Sequence, residues 1–302
     1  MPMEEFLKSF SPSTAKSYRS ALRMFNSFYR TRYGGDIEDF LDEVERDLQT
    51  PRRSRRFYAR KVLREYKEYL EGIGLAPKSI WKYLSAVQSY ARFYEIPISL
   101  RYIHMPSTRP ISRKYPWTLE EAIEFIEIIE HPTVKAMAAI TLQSGIGLSE
   151  LLSLKYGDIM EEYERGVIPL CLDLYRVKTD NPFMTFAERY SVGLLREYLE
   201  EHRPDISPED PLFKISGRRV QQILRKCGKI YLDEKEYEGV NPCRLHSLRT
   251  AFRTLMADAG CPDHYLEFFM GHKTQDLRRV YTSKSREGWR QTYKQYSHAI
   301  QP

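Results

Sequence analysis

Apolar side chains recur along the first third of the chain at the three- and four-residue spacing that lines one face of a helix. Within residues 13–30 they are Tyr18, Leu22, Phe25 and Phe28/Tyr29, with Ser13 or Thr14 available as a cap. Within 53–71 they are Ala59, Val62, Leu63, Tyr66 and Leu70, and Gly72 and Gly74 close the stretch. Within 78–94, after Pro77, they are Ile80, Leu84, Val87 and Ala91. A shorter helix is expected over Ile37–Leu48. The pattern predicts a small four-helix domain over residues 1–104. Residues 105–116, MPSTRPISRKYP, hold three prolines and no helical period, and read as a polar, cationic linker.

Residues 117–302 read as a second domain, mixed but mainly helical. Thr118 and Glu121 stand at capping-box spacing before an apolar run. Residues 133–143 are small and apolar, as in a buried helix, and Gly145 and Gly147 interrupt them. LSELLSLK at 148–155 starts another helix. GVIPLCLDLYRV at 166–177 alternates and is β-prone, Thr179–Pro182 reads as a turn, and Phe183–Phe186 as the returning strand. Further helices are expected over 188–201, 217–230, 247–259, 262–269 and 286–299. The fold class is therefore mainly α with one small β-hairpin.

Composition narrows the classes. A chain of 302 residues with 42% hydrophobic and 29% charged positions is ordinary for globular domains and excludes disorder, collagen and a disulfide miniprotein. No apolar run approaches the ~20 residues of a membrane span. MPMEEFLKSFSPSTAKSYRS shows no basic start followed by an apolar core, so no signal peptide is expected. The scattered cysteines, Cys171, Cys227, Cys243 and Cys261, argue against a zinc site and fit buried free thiols in a reducing cytoplasm.

The net charge of +6 is unevenly placed. Residues 1–106 hold 19 Lys+Arg against 13 Asp+Glu, which leaves 28 of each in the remainder. The densest basic stretch includes Arg52, Arg53, Arg55, Arg56 and Arg60, the footprint of a polyanion binder as well as of a solvated helix face. Lys78, Lys82, Arg113, Lys114, Arg218 and Arg219 are further candidate contacts to DNA phosphates, which position a protein without naming a sequence.

Two segments carry more specific information. SGIGLSELLSLKYGDI at 144–159 resembles the TGLRISELLxLxWxDI segment of tyrosine recombinases. HSLRTAFRTLMADAGCPDHYLEFFMGH at 246–272 resembles that family's HxLRxxFxxxLxxxG…MGH stretch, and Tyr281 follows His272 by the nine residues the family uses for its nucleophile. STAKSYRSALRMFNSFY and APKSIWKYLSAVQSYARFY look like the family's helical, SAM-like core-binding domain. KTDNPFMTF and the WRQTYKQY helix are most similar to archaeal integrases. The likeness covers nearly the whole chain. It implies a site-specific DNA recombinase, an integrase of a mobile element, that joins DNA to itself through a 3′-phosphotyrosine.

That chemistry needs a hydroxyl nucleophile, fixed donors around the phosphate and an acid for the departing 5′ oxygen, but no metal or cofactor. The resemblance assigns Tyr281 as nucleophile. Tyr293 and Tyr296 are poorer candidates because they share a helical stripe with Trp289 and Ile300. His246 and Arg249, one helical turn apart, would face one phosphate, Arg249 as a clamp and His246 as donor or base. His272 would donate to the same phosphate, Lys178 at the hairpin end would be the general acid, and Glu150 would orient basic neighbours.

One position departs from the family. Gly147 stands where its first catalytic arginine belongs. Arg176 and, next, Lys155 are candidate substitutes. The alternatives are a slower enzyme, or a DNA-binding protein of the same fold without cleavage activity. A type IB topoisomerase-like enzyme is a third reading. The resemblance also implies a tetramer on two double-stranded DNA sites, monomeric in solution, cytoplasmic and nucleoid-associated, with the final helix docked onto a neighbouring subunit.

Overall fold

The computed structural model describes residues 2–105, 115–177, 181–235, 237, 241–272 and 284–302. Its contacts divide the chain into two units, Met1–Ile111 and Ser112–Pro302.

The first unit has five helices: α1 (Pro2–Lys8), α2 (Pro12–Tyr33), α3 (Ile37–Gln49), α4 (Tyr58–Gly72) and α5 (Pro77–Phe93). The apolar faces of α2 to α5 converge as their periodicity requires. Phe25 is the hub, with its ring 4.9 Å from Phe40 and 5.0 Å from Tyr66. The four-helix expectation misses α1, whose seven residues are too few to display a period. Phe6 nevertheless anchors α1 in the core, 5.2 Å from the Tyr90 ring.

Helix α4 starts at Tyr58 rather than at 53. Arg52–Ser54 form a separate 3-10 turn. The buried Asp47 carboxylate of α3 accepts from the backbone N–H of Arg56 (2.7 Å) and of Tyr58 (2.8 Å). A side chain from another helix thus supplies the start signal, which local sequence cannot display.

The second unit opens with α6 (Leu119–Glu127), where Thr118 and Glu121 form the expected capping box. Helix α7 (Pro132–Ser144) follows and is buried on nearly every side, as an all-round apolar pattern demands. Helices α8 (Leu148–Ser153) and α9 (Met160–Glu164) lead into strands β1 (Leu170–Tyr175) and β2 (Pro182–Ala187). These pair antiparallel, with Leu170 opposite Ala187 and Leu174 opposite Phe183. Helices α10 (Arg189–His202), α11 (Gly217–Glu234), α12 (Leu245–Asp258), α13 (Asp263–Phe269) and α14 (Arg286–Lys294) complete the unit, and Ser297–Ile300 form a terminal 3-10 turn. Helices α10 and α12 pack directly on α7. All four cysteines are free thiols, and Cys171, Cys243 and Cys261 are buried.

The C-terminal stripe corrects one expectation. Trp289, Tyr293 and Ile300 are 2%, 0% and 0% exposed, packed with Phe186, Phe252, Phe268 and Phe269 of their own unit. Trp289 stacks on Phe268 with ring centroids 3.9 Å apart. The apolar surface that called for a neighbouring subunit is covered within the same chain. Trp289→Ala in the full-length chain is expected to cost about 3–5 kcal/mol. Urea unfolding should show that loss unchanged across protein concentrations, because the packing is intramolecular.

Candidate active site

A helix ends with four carbonyls that lack intrahelical partners. At the end of α7, three successive carbonyls are taken by distant side chains. Tyr293 donates its hydroxyl to Gln143, Thr185 of β2 donates to Ser144 at 2.6 Å, and Arg249 of α12 donates to Gly145. Gly145 permits this because its φ is +67°, and a Cβ there would run into the Phe252 ring.

Arg249 reaches a second helix end as well. Its Nη2 donates to the Met270 carbonyl at 2.7 Å, at the close of α13. Gly271 follows at φ +64°, where a Cβ would lie 2.8 Å from the Phe183 ring. A cation is favoured at helix C-termini, which is how a guanidinium in a residue only 4% exposed is tolerated. Burial, and after it the Arg176 charge, pushes Arg249 from 12.5 down to about 10, against the pull of Glu150 and Glu267. Arg249 therefore stays charged at neutral pH.

The same Nη2 also donates to Nε2 of His272 at 2.9 Å. The other ring nitrogen, Nδ1, donates to Glu267 at 2.6 Å. The imidazole is thus an acceptor toward Arg249 and a donor toward Glu267. Donation from His272 to a phosphate, as the resemblance implies, requires a proton on Nε2 as well. Glu267 is further held by Arg253 at 2.8 Å. Glu267 and Arg253 were not among the sequence candidates. Their signal was present: Arg253 lies one turn beyond Arg249, and Glu267 one α-helical turn before the Gly271–His272 pair. His246 sits in the first turn of α12, exposed at the surface.

The structure brings Glu150 and Arg176 to Gly147. Arg176 follows β1, and its Nη1 lies 3.1 Å from Oε1 of the buried Glu150. A Cβ added at Gly147 would stand 2.5 Å from Glu150 Oε2 and 3.4 Å from Arg176 Nη1. Lys155 does not join this group. It binds Glu209 at 2.6 Å on an exposed edge, because α8 ends at Ser153 and the following 3-10 turn redirects the chain. Tyr281, Lys178, Arg113 and Lys114 lie outside the described residues. Tyr293 is excluded as a nucleophile: its hydroxyl is buried against Gln143, and burial raises its pKa well above the usual range.

The basic residues of the first unit divide into two groups. Arg52, Arg53, Lys78 and Lys82 are exposed and make no ion pair among the described residues. Arg55 is instead turned onto the end of α3, donating to Thr50 at 3.0 Å and Leu48 at 2.6 Å. Arg56 pairs with Glu43 at 3.0 Å. Arg60 lies over the rings of Phe57 and Tyr102, 4.8 and 4.4 Å from their centroids. The sequence alone counts these three as free charges, whereas folding gives each a partner. In the second unit, Arg218 and Arg219 are exposed at the start of α11.

Residues 118–287 match the model of the Phage integrase family, a span that contains Gly147, Glu150, Arg176, Arg249 and His272. The chain belongs to the phage integrase family. Among curated relatives, it is 24% identical to the tyrosine recombinase XerC of Pelotomaculum thermopropionicum, over 95% of this chain and 92% of the relative. It is 24% identical to a probable integrase/recombinase of Acholeplasma phage L2, over 73% and 74% of the two chains. Among solved structures, a lambda integrase dimer bound to a core site aligns with a TM-score of 0.62 at 13% identity, covering 91% of this chain and 95% of that one. The Tn1549 transposon integrase in complex with circular intermediate DNA aligns with a TM-score of 0.57 at 15% identity, covering 91% and 98%. The mainly helical fold with one small hairpin is the phage integrase fold.

In this family member, Glu267 holds the Nδ1 side of His272, while Arg249 holds Nε2. Glu267→Ala is expected to destabilise the chain by about 1–3 kcal/mol through the lost charge-assisted hydrogen bonds. Nitrogen NMR of the imidazole should show the Nδ1–H form of His272 in the parent and a mixture of tautomers in the variant.

Proposed function

We propose that this chain cuts and rejoins double-stranded DNA at a specific site, with Tyr281 as the nucleophile and Arg249 as a clamp on the scissile phosphate. Membership of the phage integrase family, together with relatives named tyrosine recombinases, makes it a tyrosine-type site-specific recombinase. The residue roles are our reading. The observation that carries it is the Arg249 guanidinium, fixed at the ends of two helices beside His272. Three of its five N–H donors serve that fixation, and among the described residues the other two have no hydrogen-bond partner.

In the proposed step the Tyr281 oxygen forms a bond to phosphorus while the bond to the 5′ oxygen breaks. The phenol proton passes to His246, and Lys178 protonates the departing oxygen. One ester replaces another of similar energy, so a 5′ hydroxyl can later reverse the step. Arg249 gives up no proton. It meets the charge that grows on the non-bridging oxygens without having to reorganise. His272 holds Arg249 in place through Nε2, and once protonated there it becomes a second donor to the phosphate.

Arg52, Arg53, Lys78, Lys82, Arg218 and Arg219 supply phosphate contacts on this reading, with affinity that falls as salt rises. Titrations of a duplex against salt should give a log–log slope shallower by about 2 for the Arg52→Ala/Arg53→Ala variant. Assembly of four subunits on two sites, residence at the nucleoid and origin in an archaeal mobile element extend the proposal. The last rests on KTDNPFMTF and WRQTYKQY. No helix among the described residues is long and apolar enough to cross a membrane.

A suicide duplex that traps cleaved DNA tests the reading. The parent chain should give a denaturation-resistant protein–DNA adduct, and Tyr281→Phe should give none. An adduct of equal yield in that variant would remove Tyr281 as nucleophile. Binding with no adduct in the parent would leave a DNA-binding protein of the same fold. Relaxation of supercoiled plasmid without a preferred site would indicate a topoisomerase.

A further inference from the structure

Gly147 has an ordinary extended backbone, φ −92° and ψ 165°, that any residue can adopt. Neither a turn nor a left-handed conformation requires glycine there. What a side chain would meet is the Glu150 carboxylate and the Arg176 guanidinium. The glycine leaves room for a cation that arrives from the hairpin.

That cation lacks a full set of partners. Among the described residues, the ion pair of Arg176 is with Glu150 alone, and Arg249 forms none. Arg176 Nη1 is buried, and although it stands 3.1 Å from Glu150 it has no acceptor in hydrogen-bonding direction among the described residues. Two guanidiniums near enough to repel stand by the buried Glu150 carboxylate, while Glu267, itself paired with Arg253, draws on Arg249 as well, and the repulsion is felt at Arg249. Among the described residues Arg176, Arg249 and Arg253 stand against Glu150 and Glu267, one positive charge in excess, with donors unfilled on the Arg176 and Arg249 forks. Such an arrangement is costly when empty and is relieved by an anion.

We infer that Arg176 is a second arginine clamp on the scissile phosphate, reaching from the end of β1 into the space that Gly147 leaves open, with Glu150 as its positioning residue. The inference rests on the recombinase reading. A phosphodiester brings one negative charge, and the five-coordinate state formed when Tyr281 attacks brings a second. The excess positive charge of the cluster matches the charge of the phosphodiester, and Arg176 and Arg249 donate to the oxygens on which the second charge develops, with Glu150 holding one guanidinium and the ends of α7 and α13 the other. Neither arginine gains or loses a proton in the step. An arginine is required because a planar fork bonds two oxygens, which an ammonium does not.

The suicide-duplex assay on the full chain decides this, with cleavage rate and duplex affinity both measured. Arg176→Ala is expected to slow adduct formation by roughly 10²–10³-fold with affinity changed less than about tenfold. Arg176→Lys should recover only part of the rate. Gly147→Arg in the Arg176→Ala background should restore at least about tenfold, because the vacated space then accepts a guanidinium from the other side. Glu150→Gln/Arg176→Ala separates a role in catalysis from mere neutralisation of Glu150. That pair should remain as slow as Arg176→Ala. Recovery in it, or a parent-like rate in Arg176→Ala, would overturn the inference while leaving the Tyr281-dependent adduct, and so the recombinase reading, intact. Absence of any adduct in the parent chain would bring down both.

Discussion

The end of α7 is the point on which the second unit depends. Carbonyls at a helix terminus must find donors, and burial of α7 on nearly all sides denies them water. Donors come from three separate parts of the chain: the hydroxyl of Tyr293 on α14, the hydroxyl of Thr185 on β2 and the guanidinium of Arg249 on α12. One backbone requirement thereby fixes the C-terminal helix, the hairpin and the site arginine relative to one another. The Gln143 side chain adds to this, donating to the Ile300 carbonyl at 2.8 Å and accepting from the Ser191 N–H at 3.0 Å.

Placing a cation in that position serves stability and, on the proposed reading, chemistry as well. A buried arginine without carbonyl acceptors would be strongly unfavourable. Here the ends of α7 and α13 compensate, and the left-handed glycines Gly145 and Gly271 bring the two ends close by removing the side chains that would strike Phe252 and Phe183. The geometry is set before any ligand arrives, which is the condition under which fixed dipoles and charges stabilise a transition state. His272 and Glu267 extend the same network outward, toward Arg253 at the surface.

Charge is distributed differently in the two units. In the first, Arg55, Arg56 and Arg60 are engaged with a helix end, a carboxylate and two rings, so the basic stretch is in part a structural device. In the second, the residues sum to near neutrality, yet Arg176, Arg249 and Arg253 outnumber the carboxylates of Glu150 and Glu267 beside them. On the proposed reading, net charge is therefore a poor guide to where an anion binds, and the balance within one buried cluster is a better one.

The sequence by itself determined most of the elements, because helix periodicity and capping are local: Thr118 with Glu121 starts α6, and the alternation through Leu170–Tyr175 forms β1. It also brought His246, Arg249 and His272 forward as a group through the motif at 246–272. Local pattern was silent where the deciding contact comes from elsewhere. Asp47 on α3 determines the start of α4, Phe6 secures a helix too short to show a period, and the terminal stripe is buried against Phe268 and Phe269 of its own unit. The sequence ranks Arg176 ahead of Lys155 as a substitute at Gly147, but only the tertiary structure places Arg176 beside that glycine and turns Lys155 away, since that depends on how the hairpin and the end of α8 direct the two side chains. The physical reason is one of range: backbone hydrogen bonding and amphipathic period act over a few residues, whereas the pairing of buried charges acts across space, between residues that the chain brings together only after it has folded.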